Sequence, residues 1–210
     1  CYAGTYSAKI KAVSRSNCTK CPIGTSSSMK NADSISKCQL CREGHYNSER
    51  GQINCQSCNT GQYSKETGST TKTACSHCPV AKYSDKQGSD ICIGCPAGQY
   101  SIESGLISKK ECQQCVPGRY SSEQGLNHVC LKKCNAGSYS TESGLINKDR
   151  CSKCEKEKYS LEIGATSKDV CRSCPDGFTT DGVAGLSACN KRNTTNVNNQ
   201  VDGPLIVGAS

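Results

Sequence analysis

Cysteine is the residue with chemistry to offer in this sequence, twenty of them in 210 residues. Most fall in CxxC pairs: Cys18 and Cys21, Cys38 and Cys41, Cys55 and Cys58, Cys75 and Cys78, Cys92 and Cys95, Cys112 and Cys115, Cys151 and Cys154, and Cys171 and Cys174. Cys130 and Cys134 form one CxxxC, and Cys1 and Cys189 stand alone at the two ends. Paired thiols support three chemistries. Two CxxC pairs make a tetrahedral four-thiolate zinc site. One CxxC at a helix start makes a redox couple. Many cysteines in an oxidising compartment make a disulfide framework. Nine pairs do not divide into complete four-ligand sites, and zinc would strand Cys1 and Cys189. A series of CxxC pairs in a polar string also lacks the single helix-capped pair that redox catalysis needs. Paired structural cysteines are the reading carried forward, with zinc as its competitor.

Other reactive groups are sparse. His45, His77 and His128 are far apart, and none has an i, i+4 partner or a nearby acid for a metal or catalytic site. Glu103, Glu123 and Glu142 recur at module spacing, which separates these carboxylates rather than pairing them for acid–base work. No phosphate-binding loop, nucleophile motif or calcium loop is present, so the expectation is a protein without catalysis or cofactor. Two glycosylation acceptors can be read, Asn17 in Asn-Cys-Thr and Asn193 in Asn-Thr-Thr. Asn193, in an open polar stretch, is the stronger, because the Asn17 sequon contains a cysteine expected to be bridged.

The elements that carry these cysteines cannot owe their order to an ordinary core. There is no Trp, one Phe and one Met, too few large apolar side chains for one packed interior. Covalent closure must substitute, and cross-linking a loop of about 15 residues is worth on the order of 3 kcal/mol in the chain-entropy description. Disulfides in this number predict an extracellular or cell-surface location. A chain beginning at Cys1 without Met or an apolar leader reads as a piece of something longer. No run approaches the roughly 20 apolar residues of a membrane span. The formal charge of +8 is spread in ones and twos, without the basic block or stacking aromatics of a nucleic-acid surface, so no nucleic-acid partner is expected.

The cysteines also mark an internal repeat. The segments CPAGQYSIESGLISKKEC from Cys95, CVPGRYSSEQGLNHVC from Cys115 and CNAGSYSTESGLINKDRC from Cys134 are variants of one sentence. Three positions after each opening cysteine stands Gly4, Gly24, Gly44, Gly61, Gly98, Gly118, Gly137 or Gly177, with Ala81 and Glu157 as exceptions. Two positions further stands Tyr6, Tyr46, Tyr63, Tyr83, Tyr100, Tyr120, Tyr139 or Tyr159, replaced by Ser26 in the second module and by a displaced Phe178 in the last. A second glycine follows at Gly51, Gly68, Gly88, Gly105, Gly125, Gly144 and Gly164. This predicts a short strand carrying the Tyr, a Gly-assisted turn, and a return segment reaching the closing cysteine. The Tyr is expected as a packing plate over a disulfide, and Tyr2, outside the register, as an external contact.

The pattern CxxGxYSxxxG followed by CxxC resembles the ephrin-receptor-like cysteine-rich repeat, and more distantly the simplest tumour necrosis factor receptor modules, over residues 1–189. The resemblance implies an irregular, disulfide-laddered extracellular rod and no single function. The register favours closure of each pair's second cysteine on the first cysteine of the next: Cys1 with Cys18, Cys21 with Cys38, Cys41 with Cys55, Cys58 with Cys75, Cys78 with Cys92, Cys95 with Cys112, Cys115 with Cys130, Cys134 with Cys151, Cys154 with Cys171, and Cys174 with Cys189. Loops of alternating length and the equal 37-residue steps from Cys38 to Cys75 and from Cys75 to Cys112 point to a two-module period.

The expected fold is therefore small disulfide-rich repeats, an elongated rod of about ten hairpin-like modules with little regular secondary structure. Residues 1–189 are the repeats, 190–200 an Asn-rich linker, and 201–210 the start of a further domain or a docking strand. The expected function is a non-catalytic stiff spacer or building element of a larger surface protein, coat or filament such as a flagellar hair. Its partners would be proteins, either copies of itself or other coat or filament subunits. A ligand-binding receptor or adhesion ectodomain is the alternative.

Overall fold

The computed structural model describes residues 1–8 and 17–192. Ten disulfides join the cysteines in nearest-module order, Cys1 to Cys18 through Cys174 to Cys189, and no described cysteine is free. Each bridge defines one module, numbered 1 to 10 along the chain. Each module holds one antiparallel two-stranded sheet, and among the described residues helix is confined to three-residue 3-10 turns.

The hairpin closes one step later than the repeat alone predicts. In module 6, Gln99–Tyr100 pairs with Gln113–Gln114, the two residues between Cys112 and Cys115. Thr5–Tyr6 with Thr19–Lys20 and Phe178–Thr179 with Asn190–Lys191 repeat the arrangement at the two ends. The spacer of each CxxC is thus the return strand, flanked by the disulfides of two successive modules. A two-residue strand pair is far too short to persist in water, and the flanking bridges hold it in register. Asn190 and Lys191, polar enough to read as linker, complete module 10 in this way.

The segment after the second glycine is used elsewhere. It forms parallel bridges with the preceding module's Tyr: Tyr83 with Leu106, Tyr100 with Leu126, Tyr120 with Leu145, Tyr139 with Ala165 and Tyr159 with Leu186. Two further bonds recur at all nine joints. The amide of each opening cysteine donates to the carbonyl at the preceding module's first-glycine position, at 2.8 to 2.9 Å, from Cys21 to Gly4 through Cys174 to Glu157. The amide at the second-glycine position donates to the preceding opening cysteine's carbonyl, at 2.6 to 2.9 Å, from Asn31 to Cys1 through Gly185 to Cys154. Main-chain groups that a chain of such small modules could not bury singly are satisfied between modules.

Modules two apart also touch. The first glycine of one module faces the carbonyl of the second glycine two modules on: Gly4 with Gly51, Gly24 with Gly68, Gly44 with Gly88, Gly61 with Gly105, Gly98 with Gly144, Gly118 with Gly164 and Gly137 with Gly185. A Cβ at any of these first glycines would lie far inside van der Waals contact of that oxygen, and each φ is positive, 71° at Gly44 and 76° at Gly98. The two-module period is therefore a physical stack. Its length alternation has a local origin as well. Bridges spanning 17 positions in modules 2, 4, 6, 8 and 9 enclose a 3-10 turn, such as Lys72–Ala74 or Lys109–Glu111, and the bridges spanning 14 in modules 3 and 5 do not.

Candidate functional site

The joint between modules is the recurring site of this molecule, and its centre is the Tyr. Tyr83 packs with Leu106 and with Cys95 and Cys112, the bridge of the following module. Tyr46 does the same with Cys58 and Cys75, Tyr100 with Cys115, Cys130 and Leu126, and Tyr120 with Cys134, Cys151 and Leu145. The packing plate therefore covers the neighbour's disulfide, so the ring that would serve as a module's own core instead links two modules. Tyr2 lies outside this set and is half exposed.

The serine that follows most of the repeated Tyr residues has a role that the motif carries without announcing it. Ser101, Ser121, Ser140 and Ser160 are buried, and their hydroxyls accept the amides of Glu103, Glu123, Glu142 and Glu162 at 3.1 to 3.2 Å. The Tyr-Ser-x-Glu sequence is thus a side-chain-stabilised turn. The glutamates lie in successive modules, and the hydrogen bonds just described engage their main chain. Their carboxylates are not brought together.

The histidines are likewise separate. His45 is buried, with Nδ1 2.9 Å from the Glu43 carbonyl and Nε2 3.4 Å from Arg42, and its ring fills the space beside Gly88. His77 covers Gly105 in the same manner, and His128 lies 2.8 Å from the Val129 carbonyl through Nδ1. At most of the corresponding places the last spacer residue between paired cysteines does the covering: the side chains of Lys20, Leu40, Gln114, Lys133 and Lys153 lie against Gly51, Gly68, Gly144, Gly164 and Gly185. The lysine stems lie over these glycines while the residues as a whole stay exposed.

Ala81 breaks the first-glycine rule in module 5 at φ 59° and is fully buried. Its partner region compensates. The CxxC residue above it is Gly94, and a side chain there would meet the Gly125 amide nitrogen at 3.0 Å. Gly125 lies against the Gly94 backbone rather than under a side chain, yet it still donates to the Cys95 carbonyl at 2.7 Å. A methyl is added on one side of the stack and a whole side chain removed on the other.

Charge is distributed on the outside. Glu155 holds Lys168 at 2.6 Å and Lys158 at 3.4 Å. Hydrogen bonds from Lys168 and then Lys158 keep the Glu155 carboxyl below the usual glutamate range, and Glu155 raises Lys168. The 3-10 turns of modules 6 and 8 carry both signs, Lys109, Lys110 and Glu111 in one and Lys148, Asp149 and Arg150 in the other. Among the described residues no three His, Cys, Asp or Glu side chains group as a metal site, and no helix is long and apolar enough to cross a membrane. Asn17 is half-buried beside bridged Cys18, while Asn193 and residues 201–210 lie outside the described residues.

These features define a disulfide-rich repeat rod. Residues 32–75 match the family model described as tyrosine-protein kinase ephrin type A/B receptor-like, a cysteine-rich module. The matched stretch takes in the later part of module 2 and all of modules 3 and 4, and the same hairpin and bridge register recurs in the others. No curated protein matches the chain. The disulfides and this module kind together point to an extracellular or surface location.

Proposed function

We propose that the chain is a non-catalytic extracellular spacer, a stiff building element of a larger surface protein, coat or filament. The observation that carries this reading is the unbroken ladder: the same two main-chain bonds recur at all nine joints. Glycine contacts bind most modules to the next but one. Bending at one joint must therefore disturb contacts in up to four modules, which gives a repeat array persistence along its axis. Copies of itself or other coat or filament subunits are its partners. Small-angle scattering of the oxidised chain should give a rod-like cross-section regime that is lost on reduction. A flexible-coil profile before reduction would sink the spacer reading.

A receptor or adhesion ectodomain is the second reading, favoured by the description of the family that residues 32–75 match. It calls for a one-to-one complex with a soluble ligand, detectable by sedimentation, whereas the spacer calls for assembly with surface or filament subunits.

A further inference from the structure

The 3-10 turns of modules 4, 6, 8 and 9 each open on a lysine, Lys72, Lys109, Lys148 and Lys168. In module 9 the carboxylate of Glu155, the residue after the opening cysteine, holds Lys168 at 2.6 Å and Lys158 at 3.4 Å. The same place is Asn59 in module 4, Pro96 in module 6 and Asn135 in module 8. Lys72, Lys109 and Lys148 are exposed and make no ion pair with any described residue.

Nearby acids do not fill the gap. The module 4 turn contains none, and in module 6 Glu111 Oε2 accepts the Ile107 amide at 2.9 Å. In module 8 Lys148, Lys153, Asp149 and Asn135 line one groove of about 500 Å³ together with Ser138 and Gly185. Two ammonium groups against one carboxylate leave this groove cationic, and its volume is that of a small-ligand site. A carboxylate or sulfate entering there meets Lys148 as Glu155 meets Lys168, and the Asn135 amide and Asp149 carboxylate suit sugar hydroxyls.

The three places share one side of the stack. Modules 4, 6 and 8 lie directly on one another through Gly61 against Gly105 and Gly98 against Gly144. Modules 5 and 7, between them, enclose no 3-10 turn and bring no lysine to this place. The unpaired lysines therefore recur at two-module steps, 109 − 72 = 37 and 148 − 109 = 39 residues. One exposed ion pair is weak, but a partner that repeats its charge along its own chain engages the row together. Tyr46, Tyr83, Tyr100 and Tyr120 are packed in the joints. No array of exposed rings among the described residues accompanies the lysines for base stacking, which favours a sugar chain over a nucleic acid.

We propose that the even-module face, with Lys72, Lys109 and Lys148 as its contacts, binds a linear acidic polysaccharide whose carboxylates or sulfates take the place that Glu155 occupies in module 9. This partner is additional to the protein subunits of the assembly.

The test fills the place with an internal carboxylate. Asn59→Glu/Asn135→Glu does so in modules 4 and 8, and Pro79→Glu/Val116→Glu puts the same charge at the same place in modules 5 and 7, where no turn lysine stands. Glutamate already occupies this place at Glu155, and neither variant touches a disulfide. Binding of polygalacturonate and of dextran sulfate to the whole oxidised chain is measured by calorimetry at about 0.1 M salt, with neutral dextran and single-stranded DNA alongside. The natural sequence should bind an acidic polysaccharide and not neutral dextran, and the tighter of the two identifies carboxylate or sulfate as the group recognised. The even-module variant should lose at least about tenfold in affinity and the odd-module variant less than about twofold. Equal losses would reduce the attraction to net charge and overturn the proposal. So would the absence of binding to either acidic polysaccharide, or tighter binding to the DNA.

Discussion

Gly98 turns its bare Cα toward the carbonyl oxygen of Gly144, two modules further along the rod, in a gap that leaves no room for a Cβ. The contact explains why glycine recurs at this place more stringently than a turn alone demands. The backbone is left-handed there, with φ 76°, and an alanine would meet both a conformational penalty and a steric one. Gly98→Ala should cost about 2–4 kcal/mol by those two effects together, read as faster amide exchange in modules 6 to 8 with modules 1 to 3 unaffected.

Ala81 and Gly94 form a compensating pair across the same stack, one adding a methyl and the other removing a side chain. Gly94→Lys alone should therefore destabilise modules 5 to 7, and Ala81→Gly in the same chain should relieve part of the loss. A double-mutant cycle read by local exchange should give a coupling of about 1 kcal/mol or more. Additive effects would mean that the two positions do not share one space.

Cys58→Ser leaves Cys75 without its bridge and removes the surface that Tyr46 covers. A loss of about 2–5 kcal/mol is expected for a disulfide in a small domain. Limited proteolysis should cut first in module 4, and protection should fall in modules 2 to 6, the span reached by one-module and two-module contacts. Simultaneous collapse of modules 9 and 10 would contradict the nearest-neighbour description.

Glu155 should titrate at a lower pH than an isolated glutamate, because Lys168 and Lys158 favour its charged form. A lowered folded-state pKa means a contribution present above the unfolded pKa and lost as pH falls through the folded one. Lys168, raised by Glu155, contributes below the ordinary lysine range and loses that contribution as pH rises through its folded value. The pair is therefore intact between those limits. Both groups are exposed, so the Glu155 carboxyl resonance should move toward an ordinary titration in about 1 M salt, where screening is strong.

Asn193 should carry a glycan when the chain is secreted from a eukaryotic cell, and Asn17 should not, since its sequon contains bridged Cys18. Glycosidase treatment should shift the mass by one glycan, and the shift should vanish in Asn193→Gln while persisting in Asn17→Gln.

Much of the local order could be read from the residues alone. The cysteine ruler gives ten loops closed between near neighbours, and closure of short loops depends on spacing that is written in the chain. The repeated Gly and Tyr mark one strand and one turn for each loop, and the 37-residue steps mark the period. What the Tyr would cover was only half legible. A packing role follows from its periodic recurrence, but the bridge beneath it belongs to the next module, as Tyr83 over Cys95 and Cys112 makes plain.

The sequence by itself thus determined the module and its covalent staple, because these depend on residues within one short loop. Only the tertiary structure decided how modules join. The CxxC spacer became a strand, the Tyr-Ser-x-Glu serine a turn acceptor, and the first glycine a contact for a carbonyl two modules away. Those outcomes depend on the rotation between successive modules. That rotation is the sum of many backbone angles and main-chain bonds, to which no single residue type or spacing in the sequence corresponds.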